Sequence, residues 1–365
     1  MKIICNKNDL LKGVNIALRA VPVRTTMPIL ECILIEASEE DIILMANDME
    51  LGISTKVKGD IVDKGKIAID AKFFAEIIRK LPDSEVIIET DSNFNTHISC
   101  ENSEFNIPGK SGDDFTYLPY IEKKNSISLS QFTLKEVIRQ TIFSIGESDT
   151  NKIMTGELFE IKDNKLKVVS LDRYRVSIRN VELENSYDAT NVIIPGKTLS
   201  EVSKILSGEA DSIVDISFSS NHALFEFDDT VVVTRLIEGE YFKINQMITK
   251  EYNTKITINK REFLDCLDRA TLLVKEGNKK PVVFEIGDGS IKINITSNIG
   301  TMNEEITIEK SGSDIKIGFD PKFLIDALRV IDDESIDIYY INTKTPCTIR
   351  DEAEKYIYLI LPVNY

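Results

Sequence analysis

Ala71-Lys72-Phe73-Phe74-Ala75-Glu76-Ile77-Ile78 places apolar residues three and four positions apart, the spacing of one helical face turned toward a core. Five other stretches repeat the pattern. They are Asn8-Asp9-Leu10-Leu11-Lys12-Gly13-Val14, Gln131-Phe132-Thr133-Leu134-Lys135-Glu136-Val137-Ile138, Gly196-Lys197-Thr198-Leu199-Ser200-Glu201-Val202, Arg261-Glu262-Phe263-Leu264-Asp265-Cys266-Leu267 and Pro321-Lys322-Phe323-Leu324-Ile325-Asp326-Ala327-Leu328. The anchors Leu10, Phe74, Leu134, Leu199, Phe263 and Leu324 stand 64, 60, 65, 64 and 61 residues apart. Two positions after each comes a polar residue: Lys12, Glu76, Glu136, Glu201, Asp265, Asp326. A near-constant interval of this length is the mark of an internal repeat.

Between the helices the period falls to two, the alternation of half-buried strands. Ile33–Glu36, Leu158–Ile161 and Val283–Ile286 follow the odd-numbered helices, and each leads through a polar turn to a second strand at Asp41–Leu44, Lys165–Val169 and Ser290–Ile293. Asp163-Asn164 and Gly287-Asp288-Gly289 are turn signals. Glu85–Ile88, Val214–Phe218 and Ser335–Tyr339 follow the even-numbered helices. Paired units give three similar α+β domains, near 1–124, 125–252 and 253–365, each with two helices on antiparallel sheet. A solenoid of six half-units is the competing reading, but its terminal units should differ from the rest, and these do not.

The bulk properties narrow the class. With 365 residues the chain has room for several cores, and no apolar run reaches the length of a membrane span. Met1–Lys7 meets charge and amide at once and lacks the apolar core of a signal peptide, so a cytoplasmic protein is expected. Cys5, Cys32, Cys100, Cys266 and Cys347 are scattered without a paired spacing and read as reduced, mostly buried thiols. A net charge of -16 argues against phosphate binding by the protein as a whole, yet leaves room for a local basic surface, because only the nearby field acts on DNA.

Catalytic patterns are poorly supplied. Ile194-Pro195-Gly196-Lys197-Thr198 ends like a phosphate-binding loop but has Asn191 where the first Gly is needed. His97 and His222 are the two histidines, and a metal shared by His97 and Cys100 would lack a second pair of ligands. Asp228-Asp229 and Asp332-Asp333 fall at turns, where solvated carboxylates are the ordinary reading. No catalytic residue, metal site or cofactor is expected. A nucleotide-acting enzyme would need a polar cleft peculiar to one domain, whereas an unspecialised repeat scaffold would not be retained on circular DNA.

Six stretches in order resemble the bacterial DNA sliding clamps, the beta subunits of the replicative DNA polymerase III. Arg24-Thr25-Thr26-Met27-Pro28-Ile29-Leu30 resembles that family's Arg-x-x-x-Pro-Ile-Leu segment, and Asn47-Asp48-Met49-Glu50-Leu51 its Asp-Leu-Glu motif. Ala71–Phe74, Leu236–Phe242, Ile317–Asp320 and the ending Tyr358-Leu359-Ile360-Leu361-Pro362-Val363 are similar to further landmarks, and the resemblance covers the whole chain. It implies a non-enzymatic processivity factor: a head-to-tail homodimeric ring around double-stranded DNA. The implied partners are the replicative polymerase subunit, the clamp loader, repair polymerases and other proteins with a clamp-binding motif.

Carried over by position, the partner-peptide pocket would comprise Met154, Leu171, Arg173, Tyr174, Arg175, Val176, Phe242, Met247, Pro346, Leu359, Ile360, Leu361, Pro362 and Val363. From the residues alone, Leu359 and Leu361 serve equally as the end of a buried edge strand. The DNA-facing positions would be Arg24, Lys72, Arg79 and Lys197, with Lys322 equivalent to Lys72 and Lys197, and Lys135 and Arg139 four apart on the third helix. Any one surface lysine is better explained by solubility; the repetition of Lys at the starts of the second, fourth and sixth helices favours the DNA-facing reading. Phe105, Ile107, Leu272 and Leu273 match apolar dimer-interface positions, and pattern alone would also let them be core. The sequence departs from the family at Arg173, often Gly, at Asn364, often Arg, and at Thr150-Asn151-Lys152-Ile153, where aromatic residues are common.

Overall fold

The computed structural model describes residues 1–123, 125–147, 151–274 and 281–365. Thr150 of the departing loop therefore lies outside the described residues, as does Lys124 at the first expected domain boundary. Six α-helices occur among the described residues at the six expected places: α1 Lys7–Ala17, α2 Ala71–Lys80, α3 Gln131–Thr141, α4 Gly196–Ile205, α5 Lys260–Thr271 and α6 Pro321–Val330. Five start on a side chain that accepts an otherwise unpaired backbone N–H: Asn6 for α1, Asp70 for α2, Ser130 for α3, Asn259 for α5 and Asp320 for α6, where Pro321 also presets the first turn. All six anchors are buried at 1% exposure or less, each contributing about 2 kcal/mol by leaving water.

The chain divides into two compact units, residues 1–135 with 197–236 and residues 136–196 with 237–365. In the first unit, a five-stranded antiparallel sheet ends on Asp60–Asp63 at one edge and Ser103–Pro108 at the other. A nine-stranded sheet runs from Lys110–Ser111 to Asn125–Ser130. In its middle Leu51–Val57 pairs antiparallel with Thr230–Arg235, Leu51 opposite Thr234. α1 and α2 pack side by side, with Leu10, Val14, Phe74 and Ile78 fully buried.

In the second unit a seven-stranded sheet joins Arg175–Pro195 to Tyr356–Ile360, Arg175 opposite Ile360. A four-stranded sheet ends on Thr301–Thr307. The Asp163-Asn164 signal appears as a register break within the strand Gly156–Leu171. Residues 156–161 pair with 190–195 and residues 165–171 with 176–182, and Asp163 takes φ 55° at the break. Gly289, at φ 75°, turns the expected hairpin between Val282–Ile286 and Ser290–Thr296. α5 and α6 pack together over a core that includes Phe263, Phe284, Phe319 and Leu328.

The five cysteines are free and buried. Burial pushes the thiols of Cys5, Cys266 and Cys347 up to about 12, which keeps them protonated and unreactive. His97 and Cys100 fall on opposite faces of one strand. His97 hydrogen-bonds Asn106 at 2.9 Å while the Cys100 thiol donates to the Pro82 carbonyl at 3.6 Å. No helix among the described residues is long and apolar enough to cross a membrane.

Candidate functional site

All fourteen residues of the expected peptide pocket belong to the second unit. The site is built on the turn Asp172–Arg175. Asp172 Oδ1 accepts from the N–H groups of Tyr174 at 2.7 Å and Arg175 at 3.0 Å, and the Asp172 N–H donates to the Arg175 carbonyl at 3.1 Å. A short acceptor side chain at the first position is what such a turn requires.

Past the turn, strand alternation sorts the side chains. Leu171, Val176 and Leu359 join Val169, Ile178, Tyr241, Ile244 and Ile357 in one apolar cluster, with half-buried Met154 against it. They form the floor. Arg173, Tyr174, Phe242 and Met247 are exposed around it, while Pro346, Leu361, Pro362 and Val363 are half-buried. Ile360 goes elsewhere. As the neighbour of Leu359 on the strand Tyr356–Ile360 it points to the opposite face, into the core that holds Phe319 and Tyr340.

The tail is fixed by backbone. The Leu361 N–H donates to the Tyr174 carbonyl at 2.8 Å and the Val363 N–H to the Gly318 carbonyl at 2.9 Å. Gly318 permits this approach, since a Cβ there would lie 2.8 Å from the Tyr365 ring and 3.0 Å from the Val363 carbonyl oxygen.

Arg175 turns inward, only 8% exposed, and does not present its charge at the rim. It ion-pairs with Asp172 at 3.1 Å and with Asp326 of α6 at 2.6 Å, and donates to the Phe143 carbonyl. The guanidinium also lies 4.8 Å from the Phe323 ring centre and 5.3 Å from that of Phe143. Tyr174 stacks on Phe323. The sequence reading did not single out Phe323, Asp326, Asp172 or Phe143 for the site. Phe323 was visible only as a residue beside an anchor, and its long-range partner is set by tertiary structure. An open groove of about 680 Å³, lined by Leu158, Glu160, Asn191, Ile193 and Gly239–Gln246, shares Phe242 with the pocket.

One buried group is the chain neighbour of Leu158, which packs against this floor. Glu157 is fully buried, and neither carboxyl oxygen has a hydrogen-bond partner among the described residues. Burial pushes its pKa up to about 8, so it holds its proton at neutral pH.

The basic positions differ in their freedom. Arg24 is exposed in the stretch after Val23, and Lys72 and Lys322 are exposed near the starts of α2 and α6. Lys197 ion-pairs with Asp48, whose side chain is nearly buried, and Arg79 pairs with Glu76 on its own helix. Lys135 donates to the Leu206 carbonyl at 3.2 Å. Arg139 holds Glu136 and reaches Asp332 at 2.9 Å. These two are committed to nearby acceptors. Of the expected interface residues, Phe105 and Leu272 are exposed, Ile107 is buried, and Leu273 packs partly against the core near α5.

Family models describe three successive stretches of the chain: the N-terminal domain of the DNA polymerase III beta subunit over residues 1–119, its central domain over 128–243 and its C-terminal domain over 245–364. Proteins named beta sliding clamp from Staphylococcus epidermidis and Staphylococcus aureus are each 34% identical over 375 residues, covering 100% of this chain and 99% of theirs. A putative DNA polymerase III beta subunit from Eubacterium rectale matches in structure with a TM-score of 0.97 and 64% identity, over 100% of both chains. The sliding clamp of Bacillus subtilis matches with a TM-score of 0.96 and 33% identity, over 100% of this chain and 99% of that one. The chain belongs to the DNA polymerase III beta subunit family, the bacterial beta sliding clamps.

Proposed function

We propose that two copies of this chain close head to tail into a ring around double-stranded DNA and act there as a processivity factor, without catalysis of their own. The supporting observation is the way the sheets run on between domains. Leu51–Val57 with Thr230–Arg235 joins the first domain to the second, and Arg175–Pro195 with Tyr356–Ile360 joins the second to the third. The corresponding strands at the two ends of the series, Ser103–Pro108 and Thr301–Thr307, are sheet edges. An exposed edge strand is a template for another strand, and a heterologous contact that closes on itself gives a ring. Domain limits near 1–124, 125–252 and 253–365 fit this arrangement.

Held topologically, DNA needs only weak phosphate contacts, which Arg24, Lys72, Lys197 and Lys322 would supply while Arg79 shares its charge with Glu76. Polymerase subunits, a clamp loader and repair polymerases would dock a short apolar peptide segment on the floor of Leu171, Val176 and Leu359, between the rims of Tyr174, Met247 and Leu361. Adaptable Met and aliphatic groups suit several ligands. Such a protein works in the cytoplasm. Sedimentation equilibrium tests the ring directly: a mass twice the 41.2 kDa of the chain supports it, and a monomer at all micromolar concentrations refutes it.

A further inference from the structure

The two junctions inside the chain are both held by charge. The turn Asp48–Leu51 is closed by the Asp48 N–H on the Leu51 carbonyl at 2.9 Å, and the Asp48 carboxylate takes the Lys197 ammonium at the head of α4. The turn Asp172–Arg175 is closed by the same bond, and Arg175 reaches Asp326 of α6 while Tyr174 stacks on Phe323.

A third turn of this kind, Ser297–Gly300, is closed by the Ser297 N–H on the Gly300 carbonyl at 2.9 Å and precedes the edge strand Thr301–Thr307. Its counterpart is the other edge strand, Ser103–Pro108. The hairpin of that strand with Asn95–Cys100 repeats the hairpin of Thr230–Arg235 with His222–Phe227. Each turns through two residues, the first left-handed: Glu101 at φ 51° and Asp228 at φ 47°. Matching the hairpins puts Ile107 in the place of Thr234, hence opposite Gly300, and Phe105 opposite Met302. Matching the turns puts Ile299 in the place of Tyr174. Matching the helices puts Phe73 in the place of Phe323, each one residue before its anchor, and Lys72 in the place of Lys197.

The chemistry of the third junction is different. Ser297-Asn298-Ile299-Gly300 carries no charge, and the only charged residues of the two edge strands are Glu104, Glu304 and Glu305. Glu304 already pairs with Arg269. Ile299 is 51% exposed and Phe73 54% exposed, both unusual for such side chains. A Cβ on Gly300 would lie 3.7 Å from Leu273, so the turn rests on the end of α5 beside exposed Leu272.

We propose that a second copy of the chain closes this junction through an apolar contact of Phe73 with Ile299 and pairing of the two edge strands, with no ion pair between turn and helix. The inference rests on the ring reading above. Screening weakens ion pairs but not apolar contacts, so the dimer should withstand salt.

The test is the dissociation constant of the full-length dimer, read by dilution of fluorescently labelled chains at about 0.1 M and about 1 M sodium chloride, between which the Debye length falls from about 10 Å to about 3 Å. The expected result is an equal or tighter dimer at high salt. Phe73→Ala and Ile299→Ala should each loosen it about tenfold, the effect of losing roughly 1.4 kcal/mol of apolar contact. Ser297→Asp installs the acid that Asp48 supplies inside the chain. It should tighten the dimer at low salt and make it salt-sensitive, and Lys72→Ala should cancel both effects. A wild-type dimer that weakens tenfold or more at high salt overturns the inference while leaving the ring intact. A Ser297→Asp dimer whose affinity ignores Lys72 also overturns it. A chain that never dimerises removes the ring reading as well.

Discussion

The rings of Tyr174 and Phe323 stack at 5.5 Å between centres and 19° between planes, tying the turn at the pocket rim to helix α6. Beneath the stack, Arg175 faces the same Phe323 ring and pairs with Asp326. The turn is therefore positioned by a buried charge, so the proposed peptide site would depend on a residue turned away from its rim.

Removing that charge should be costly. Arg175→Ala leaves Asp326 without its partner and the Phe143 carbonyl without its donor. The second unit should lose about 3 kcal/mol, the usual cost of breaking a buried pair from one side. Denaturant unfolding reads this as a lower midpoint, and peptide affinity should fall with it as Tyr174 loses its seat. An unchanged midpoint would show that the pair contributes little.

The tail should matter for ligands more than for assembly. Leu361→Ala, or deletion of residues 361–365, removes half-buried apolar surface and, for the deletion, the bonds to Tyr174 and Gly318. A polymerase-derived peptide should bind about tenfold more weakly in titration calorimetry, while the sedimenting mass stays that of the dimer. Undiminished peptide affinity would move the site elsewhere.

Two of the cations expected at DNA should separate in their side effects. Arg24→Glu should shorten the products of clamp-dependent primer extension and leave thermal stability unchanged. Lys197→Glu should shorten them too, but it also sets a carboxylate against nearly buried Asp48. That variant should lose about 1–2 kcal/mol of stability. Full-length products from both variants would remove these residues from the DNA surface.

Glu157 should make stability depend on pH. Its folded pKa of about 8 stands above the 4.5 of an ordinary glutamate, so the folded chain binds the extra proton between these limits. Stability from this group is fully present below about pH 4.5 and is lost as pH rises toward 8. Glu157→Gln, which cannot ionise, should flatten that slope and leave the chain more stable than the wild type at pH 8. Thermal midpoints of both forms from pH 5 to about pH 9 check the sign; parallel curves would contradict it.

The residues show why some of this was legible in sequence and some was not. Helix positions were readable because each anchor carries its own local pattern, and five cap side chains sit just ahead of them. The Lys197–Asp48 and Arg175–Asp326 pairs span 149 and 151 residues, so no local period could announce them. Glu157 was readable in principle. It shares strand parity with Phe159 and Ile161, both buried, which places a carboxyl on an apolar face. Ile360 shows the converse: a residue inside a recognised motif whose parity sends it to another core.

The ring is tested most directly by topology. The chain is loaded onto a nicked circular duplex with a clamp loader, separated from free protein by gel filtration, and the circle is then cut once. Retention on the circle and loss on linearisation, at unchanged salt, is the predicted result. Equal retention on circular and linear DNA would mean that contacts and not encirclement hold the chain, and would contradict the account.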